Sequence, residues 1–206
     1  MQARGSLAAC VLAGCTLSTD FDRFDRETGR DAGAIQDAAS EAAPPGTSDA
    51  GDGANLHRNG GFERDCSGWF PYRSTLAPSP LARTGAGACL VCADETDPYF
   101  ATDDHGVLAR PPVGAEYRVE AWVRRAPGSP ALLRSNLTLR TRNEWPFTVV
   151  EQGVDDGPGA TDGWQRLEAR LAVTRPAESL NVAVSAQRGQ GRGCFVVDDV
   201  VLVRTR

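Results

Sequence analysis

The side chains here with the types and spacing to do chemistry are four cysteines, two histidines and a few acidic pairs. Cys89-Leu90-Val91-Cys92 has the spacing of a metal-binding or redox pair. A redox thiol wants a helix N-terminus, and zinc wants a second pair at similar spacing; the sequence supplies neither. On a strand, three residues span about 10 Å, too far for the two sulfurs to bridge each other. Cys89 and Cys92 are therefore expected to pair elsewhere, with Cys66 and Cys194; of the two connectivities, Cys66–Cys92 with Cys89–Cys194 is preferred over the reverse. His57 and His105 have no serine or cysteine arranged with them as a triad, and both read as exposed loop residues. Asp103-Asp104 reads as an ordinary acidic turn. Glycoside hydrolysis needs two carboxylates facing each other across a cleft. The chain has no room for a separate catalytic domain, so it reads as a non-enzyme.

The elements that must position these groups are short and alternating. Tyr117 to Val123, Leu133 to Thr141 and Gln165 to Val173 alternate apolar with polar residues, while Leu180 to Ala186 and Cys194 to Val203 are strand-like throughout. Gly, Pro and Asp separate them, and no window sustains a helical period. Such runs indicate an all-β sandwich or barrel. Parity sorts the faces. Tyr117, Val119, Ala121 and Val123 share one side, opposite Arg118, Glu120, Trp122 and Arg124. Leu133, Leu137 and Leu139 oppose Arg134, Asn136, Thr138, Arg140 and Arg142. Leu167, Ala169 and Leu171 oppose Arg166, Glu168 and Arg170. The polar sides are read as solvated faces or as a ligand-binding one.

Residues 16–54 differ. They hold nine acids against three arginines, with Pro44-Pro45 and few large apolar side chains. Such a segment buries too little surface to offset its chain entropy and is expected to be a disordered acidic tether. The whole chain has a net charge of −5, so no overall basic field points to nucleic acid. Nor is any apolar stretch long enough for a membrane-spanning helix.

Two resemblances add to this reading. Arg4, the apolar run Leu7 to Ala13 and the tetrapeptide Leu12-Ala13-Gly14-Cys15 resemble the leader and lipobox of bacterial lipoproteins. The likeness implies a signal peptide over 1–14, a lipidated Cys15, and a location in the cell envelope, anchored to the membrane by lipid. Cys10 would leave with the leader and Cys15 would carry the lipid, so four of the six cysteines remain, an even number that reads as disulfides in an exported chain.

Asn59-Gly60-Gly61-Phe62-Glu63 with Gly68-Trp69, then Asp162-Gly163-Trp164-Gln165, then Phe195 to Leu202 resemble the jelly-roll carbohydrate-binding modules of families 4, 9 and 22. The resemblance covers residues 55–206 and implies an antiparallel two-sheet jelly roll that binds a poly- or oligosaccharide as a monomer. It implies a structural calcium ion held by Glu63 and Asp198, with carbonyls near Gly61 and Thr84 completing the shell. Asp198 shares strand parity with Val196, Val200 and Leu202 and is expected to point inward; the plainer alternative is that Asp198 and Asp199 only begin a strand. It also implies ligand contacts for Tyr99 and Trp145, with Arg142 close by; Trp122, on a polar parity face, joins them as a candidate. Trp69 and Trp164 read as core. No histidine stands near Val184, where the xylan-binding relatives have one. The alternative function is a structural or protein-interaction envelope lipoprotein that keeps the fold without binding sugar.

Overall fold

The computed structural model describes residues 54–93, 99–145, 147–189 and 191–206, without the His105 side chain. The expected leader, Cys15 and most of the acidic segment lie outside them. Ten strands follow in order: β1 (Phe70–Tyr72), β2 (Ser74–Ser79), β3 (Ala88–Ala93), β4 (Tyr99–Ala109), β5 (Glu116–Arg125), β6 (Leu132–Glu144), β7 (Phe147–Pro158), β8 (Gln165–Ala172), β9 (Ser179–Arg188) and β10 (Cys194–Arg204). They form two five-stranded antiparallel sheets. Sheet A has the order β1-β4-β9-β6-β7 and sheet B the order β2-β3-β10-β5-β8.

The parity seen in sequence explains the packing. Tyr117, Val119, Ala121 and Val123 from β5, Leu167, Ala169 and Leu171 from β8, and Leu137 and Leu139 from β6 are buried in one core between the sheets. Leu133 departs from it, standing 56% exposed. A register irregularity between Leu132 and Arg134 turns Leu132 inward instead, as a bulge does by shifting parity past the extra residue. On the outer face of sheet B, Arg166 bridges Glu120 and Glu168, and Arg118 and Arg170 extend the ladder. The guanidinium of Arg166 holds the Glu120 carboxyl below the usual carboxylate range. These arginines belong to a solvated face.

The disulfides are Cys66–Cys89 and Cys92–Cys194. Cys89 and Cys92 do pair elsewhere, but with the opposite partners to those expected. Three residues apart on β3, they point to opposite faces. Cys89 faces the core and meets Cys66 there. Cys92 stands directly opposite Cys194 on β10, with Cα atoms 4.1 Å apart.

His57 is not an exposed loop residue. Its ring is buried, stacks on Trp69 at 4.7 Å between centroids, and places Nε2 2.6 Å from the Asp104 carboxylate. His57 and Trp69 thereby fix the segment ahead of β1 to β4. Asp103-Asp104-His105-Gly106 is likewise part of β4, at its irregularity, rather than a free turn.

Candidate functional site

The outer face of sheet A is built row by row from its register. Tyr99, Gln187, Arg134 and Pro158 lie across it in one row. The next holds Tyr72, Ala101, Ser185, Asn136 and Asp156, and the third Phe70, Asp103, Ala183, Thr138 and Val154. Asn181, Arg140 and Gln152 follow, then Ser179, Arg142 and Val149. Successive rows are two residues, about 6.6 Å, apart.

The middle of this face is lined by small side chains, Ala101, Ala183 and Ser185, all buried. Thr138, Arg140 and Asn181 beside them are buried too, although no further strand or helix among the described residues lies over the face. These small side chains form a strip, the trough, between rows of larger ones. Its β1 side is aromatic, with Phe70 51% exposed and Tyr72 two residues on, facing the same way. Its β6 and β7 side carries Asn136, Thr138, Arg134 and Asp156, groups that donate and accept hydrogen bonds. Buried within the floor, Arg140 Nη2 donates to Asp103 Oδ2. The guanidinium reaches over β9 because residue 183 is alanine. Asn181 Oδ1 accepts the Gly106 N–H at 3.1 Å, closing the same region.

The sequence-derived candidates fall at different places. Tyr99 is on the trough face, in the first row. Arg142 is on the same face but in the last row, eight residues along β6 from Tyr99's level, or about 26 Å; its guanidinium lies over Phe147 at 5.5 Å from the ring centroid. Trp145 stands beyond that row on the β6–β7 turn, 86% exposed. Trp122 does not join them. It is on the outer face of sheet B, opposite Asp198 and Arg166, with the Arg83 guanidinium stacked 3.7 Å over its ring. Trp69 is core. Trp164 instead covers a small apolar cluster with Leu81, Leu90 and Val196 on that outer face. The pair Phe70 and Tyr72 escaped the sequence reading. Their i, i+2 spacing after Trp69 was the available signal, in a run too short to read as a strand.

Glu63 and Asp198 flank one segment, residues 83–86. Asp198 is fully buried, but not by the parity expected. An irregularity between Asp198 and Val201, with Asp199 at φ 49°, switches the strand's faces. Val200 and Leu202 enter the core, whereas Asp198 pairs with Trp122 on the outer side, beneath the 83–86 segment. Gly60 fits against this bulge only as glycine, since a Cβ would stand 1.9 Å from the Val200 carbonyl oxygen. Asp198 Oδ2 accepts the N–H groups of Arg83 (2.7 Å) and Thr84 (3.3 Å), and Oδ1 that of Asp199 (2.7 Å). Burial pushes its carboxyl above the usual range against the pull of these donors. Glu63 Oε2 accepts the Ala86 N–H at 2.7 Å. Gly85, at φ +64°, leaves room for the Glu63 carboxylate: a Cβ would lie 1.7 Å from Oε1. Acceptor capacity is left on Asp198 Oδ1 and Glu63 Oε1, hard oxygens of the type calcium takes, while no group of three or more His, Cys, Asp or Glu side chains converges among the described residues. Asp199 is committed otherwise, to the Arg83 guanidinium and the Thr84 hydroxyl.

No family model matches the sequence, and no curated protein matches it. The fold does have solved counterparts. The CBM22-1 xylan-binding domain of Paenibacillus barcinonensis Xyn10C superposes with a TM-score of 0.60 at 14% identity, over 76% of this chain and 98% of that one. A family 16 carbohydrate-binding module gives 0.54 at 14% identity, over 72% and 99%. The enzymatically active domain of tailspike protein 4 of bacteriophage CBA120 gives 0.56 at 10% identity, over 73% of this chain but only 21% of that one. At these identities the likeness is one of fold alone: the described chain is an all-β, antiparallel two-sheet jelly roll.

Proposed function

We propose that the domain binds a poly- or oligosaccharide along the outer face of sheet A, without catalysing its cleavage, on a chain anchored in the cell envelope by lipid at Cys15. One observation carries the binding reading. A trough with a small-residue floor runs between an aromatic wall, Phe70 and Tyr72, and a polar wall, Asn136 with Arg134 and Asp156. Apolar ring faces suit the C–H faces of sugars, and placed amides and guanidinium groups suit their hydroxyls. Tyr99 extends this surface at one end; Arg142 closes the other, buried against Phe147. The non-catalytic reading is supported by the fate of Asp103, whose carboxylate is committed to Arg140 rather than poised opposite a second acid.

Retention in affinity gels cast with xylan and other polysaccharides tests this. Phe70→Ala and Tyr72→Ala should each weaken binding about ten-fold, the loss expected when a ring contact worth roughly 1–2 kcal/mol is removed. Trp122→Ala, on the other sheet, should leave it unchanged. Retention on no polysaccharide would favour the protein-interaction alternative.

We also propose that a structural calcium ion is held by Glu63 and Asp198 at residues 83–86. The ion would neutralise carboxylate charge that burial disfavours at Asp198. Millimolar calcium should then raise Tm by several degrees and EDTA reverse it, through binding to the folded state alone. Asp198→Asn should abolish the calcium response. A Tm indifferent to both reagents would leave Asp198 served by its three N–H donors.

A further inference from the structure

The trough does not account for the exposed apolar groups at one end of the sandwich. The turns after β4, β6 and β8 all emerge there, since Ala109 and Arg142 both pair with Ser179 at the start of β9. Trp145 is 86% exposed, Val113 56% and Phe147 42%. Arg110, Pro111, Val113, Trp145, Pro176 and Glu178 line one shallow hollow of about 480 Å³. Arg110, Arg175, Arg204 and Arg206 stand around this end with Glu116, Glu144, Glu151 and Glu178; Arg175 pairs with Glu151 and Arg206 with Glu116.

The chain also enters the domain at this end. Gly60 packs on Val200, and Leu56 N–H donates to the Leu202 carbonyl at 2.8 Å. From Gly60 back to Leu56 the backbone therefore runs toward the C-terminal end of β10. That end joins the turns just described, because Arg204 pairs with Tyr117 at the start of β5. Residues 1–53, with Leu12-Ala13-Gly14-Cys15, are attached there.

We propose that the Trp145 end is a membrane-contact tip, with Trp145, Phe147 and Val113 entering the lipid headgroup boundary and the surrounding arginines meeting anionic headgroups. Aromatic rings flanked by polar groups favour that boundary, and basic residues add attraction to anionic lipid. A lipid on Cys15 would bring this end to the bilayer first, and the Tyr99 end of the trough on sheet A would lie farthest from it. The orientation rests on the lipid-anchor reading; the apolar tip does not.

The test uses the full chain in vesicles of phosphatidylethanolamine and phosphatidylglycerol, with and without brominated acyl chains as quenchers of tryptophan emission. The wild-type chain should bind the vesicles and lose part of its emission, and Trp145→Ala should remove that quenchable part while Trp122→Phe keeps it. A Cys15→Ser chain should bind at least ten-fold more tightly than the same chain carrying Trp145→Ala and Phe147→Ala. Vesicle-bound protein with no quenching attributable to Trp145 overturns the tip and leaves the anchor standing. Quenching retained without Cys15 supports the tip whatever becomes of the anchor. Loss of polysaccharide retention, or of self-association, in Trp145→Ala with vesicle binding unchanged would assign this end to a sugar or a second copy instead, and likewise overturns the proposal.

Discussion

An Asp103→Asn variant is expected to lose about 3–5 kcal/mol of stability, because it removes the buried carboxylate charge that faces Arg140 in the middle of sheet A. For a domain of this size the loss corresponds to a Tm lower by roughly 10–15 °C. Arg140 and Asp103 are 3% and 1% exposed, so neither can recover its solvation when its partner is removed. The pair spans from β6 to β4 across Ala183, about 10 Å at the usual strand spacing, and sits in the floor of the trough between the Phe70 row and the Asn181 row. Arg140→Met should be milder, since it leaves a carboxylate that can take up a proton. Combining Asp103→Leu with Arg140→Met should recover much of the stability, as apolar replacement of a whole buried pair commonly does. Polysaccharide retention then separates two roles. Recovery of stability without recovery of binding would show that the pair shapes the trough as well as holding the sheet. A loss below about 1 kcal/mol in Asp103→Asn would falsify the buried pair as a structural anchor.

The same aspartate shows where sequence reading stops. Alternation on β5 and β8 was legible because those strands have one face in the core and one in water, so period-two patterning is clean. On β4 the pattern fails. Asp103 and Asp104 point to opposite faces, and both find partners distant in sequence, Arg140 and His57. Two adjacent acids in isolation look like a turn, and only the tertiary pairing makes them a strand. β10 fails differently. Its alternation was read through Asp198 to Leu202 without interruption, and the bulge at Asp199 breaks it. A left-handed, non-glycine residue has no strong signal in a single sequence.

The candidate site was legible in kind but only partly in place. Arginines and amides on the polar parity of β6 do line the outer face of sheet A, as alternation required. Trp122 has the same sort of parity on β5, yet β5 belongs to the other sheet, and parity cannot say which of two sheets a strand joins. Small residues were silent in sequence. Ala101, Ala183 and Ser185 make the trough by what they lack, and that meaning appears only when strands far apart in the chain become neighbours.

Removing Cys92–Cys194 should destabilise the domain more than removing Cys66–Cys89, although its two strands are already hydrogen-bonded neighbours. The reason lies in the unfolded chain. The two bridges close sequence separations of 102 and 23 residues, and the chain-entropy account assigns about 4.7 kcal/mol to a 100-residue loop and roughly 3 kcal/mol to one near 20. The native state opposes that ranking in part. Cys89 is fully buried and Cys92 only half-buried, so Cys66→Ser with Cys89→Ser adds a polar group to the core and narrows the gap. Denaturant titration resolves the two contributions. Cys92→Ser with Cys194→Ser should lower the free energy of unfolding by about 4 kcal/mol and raise the m-value, because an uncrosslinked unfolded chain exposes more surface. The core bridge should change m less. An unchanged m-value with a loss under about 1 kcal/mol would place the effect of Cys92–Cys194 outside chain entropy. The larger loss would make oxidation a condition of stable folding, in keeping with the envelope location proposed above.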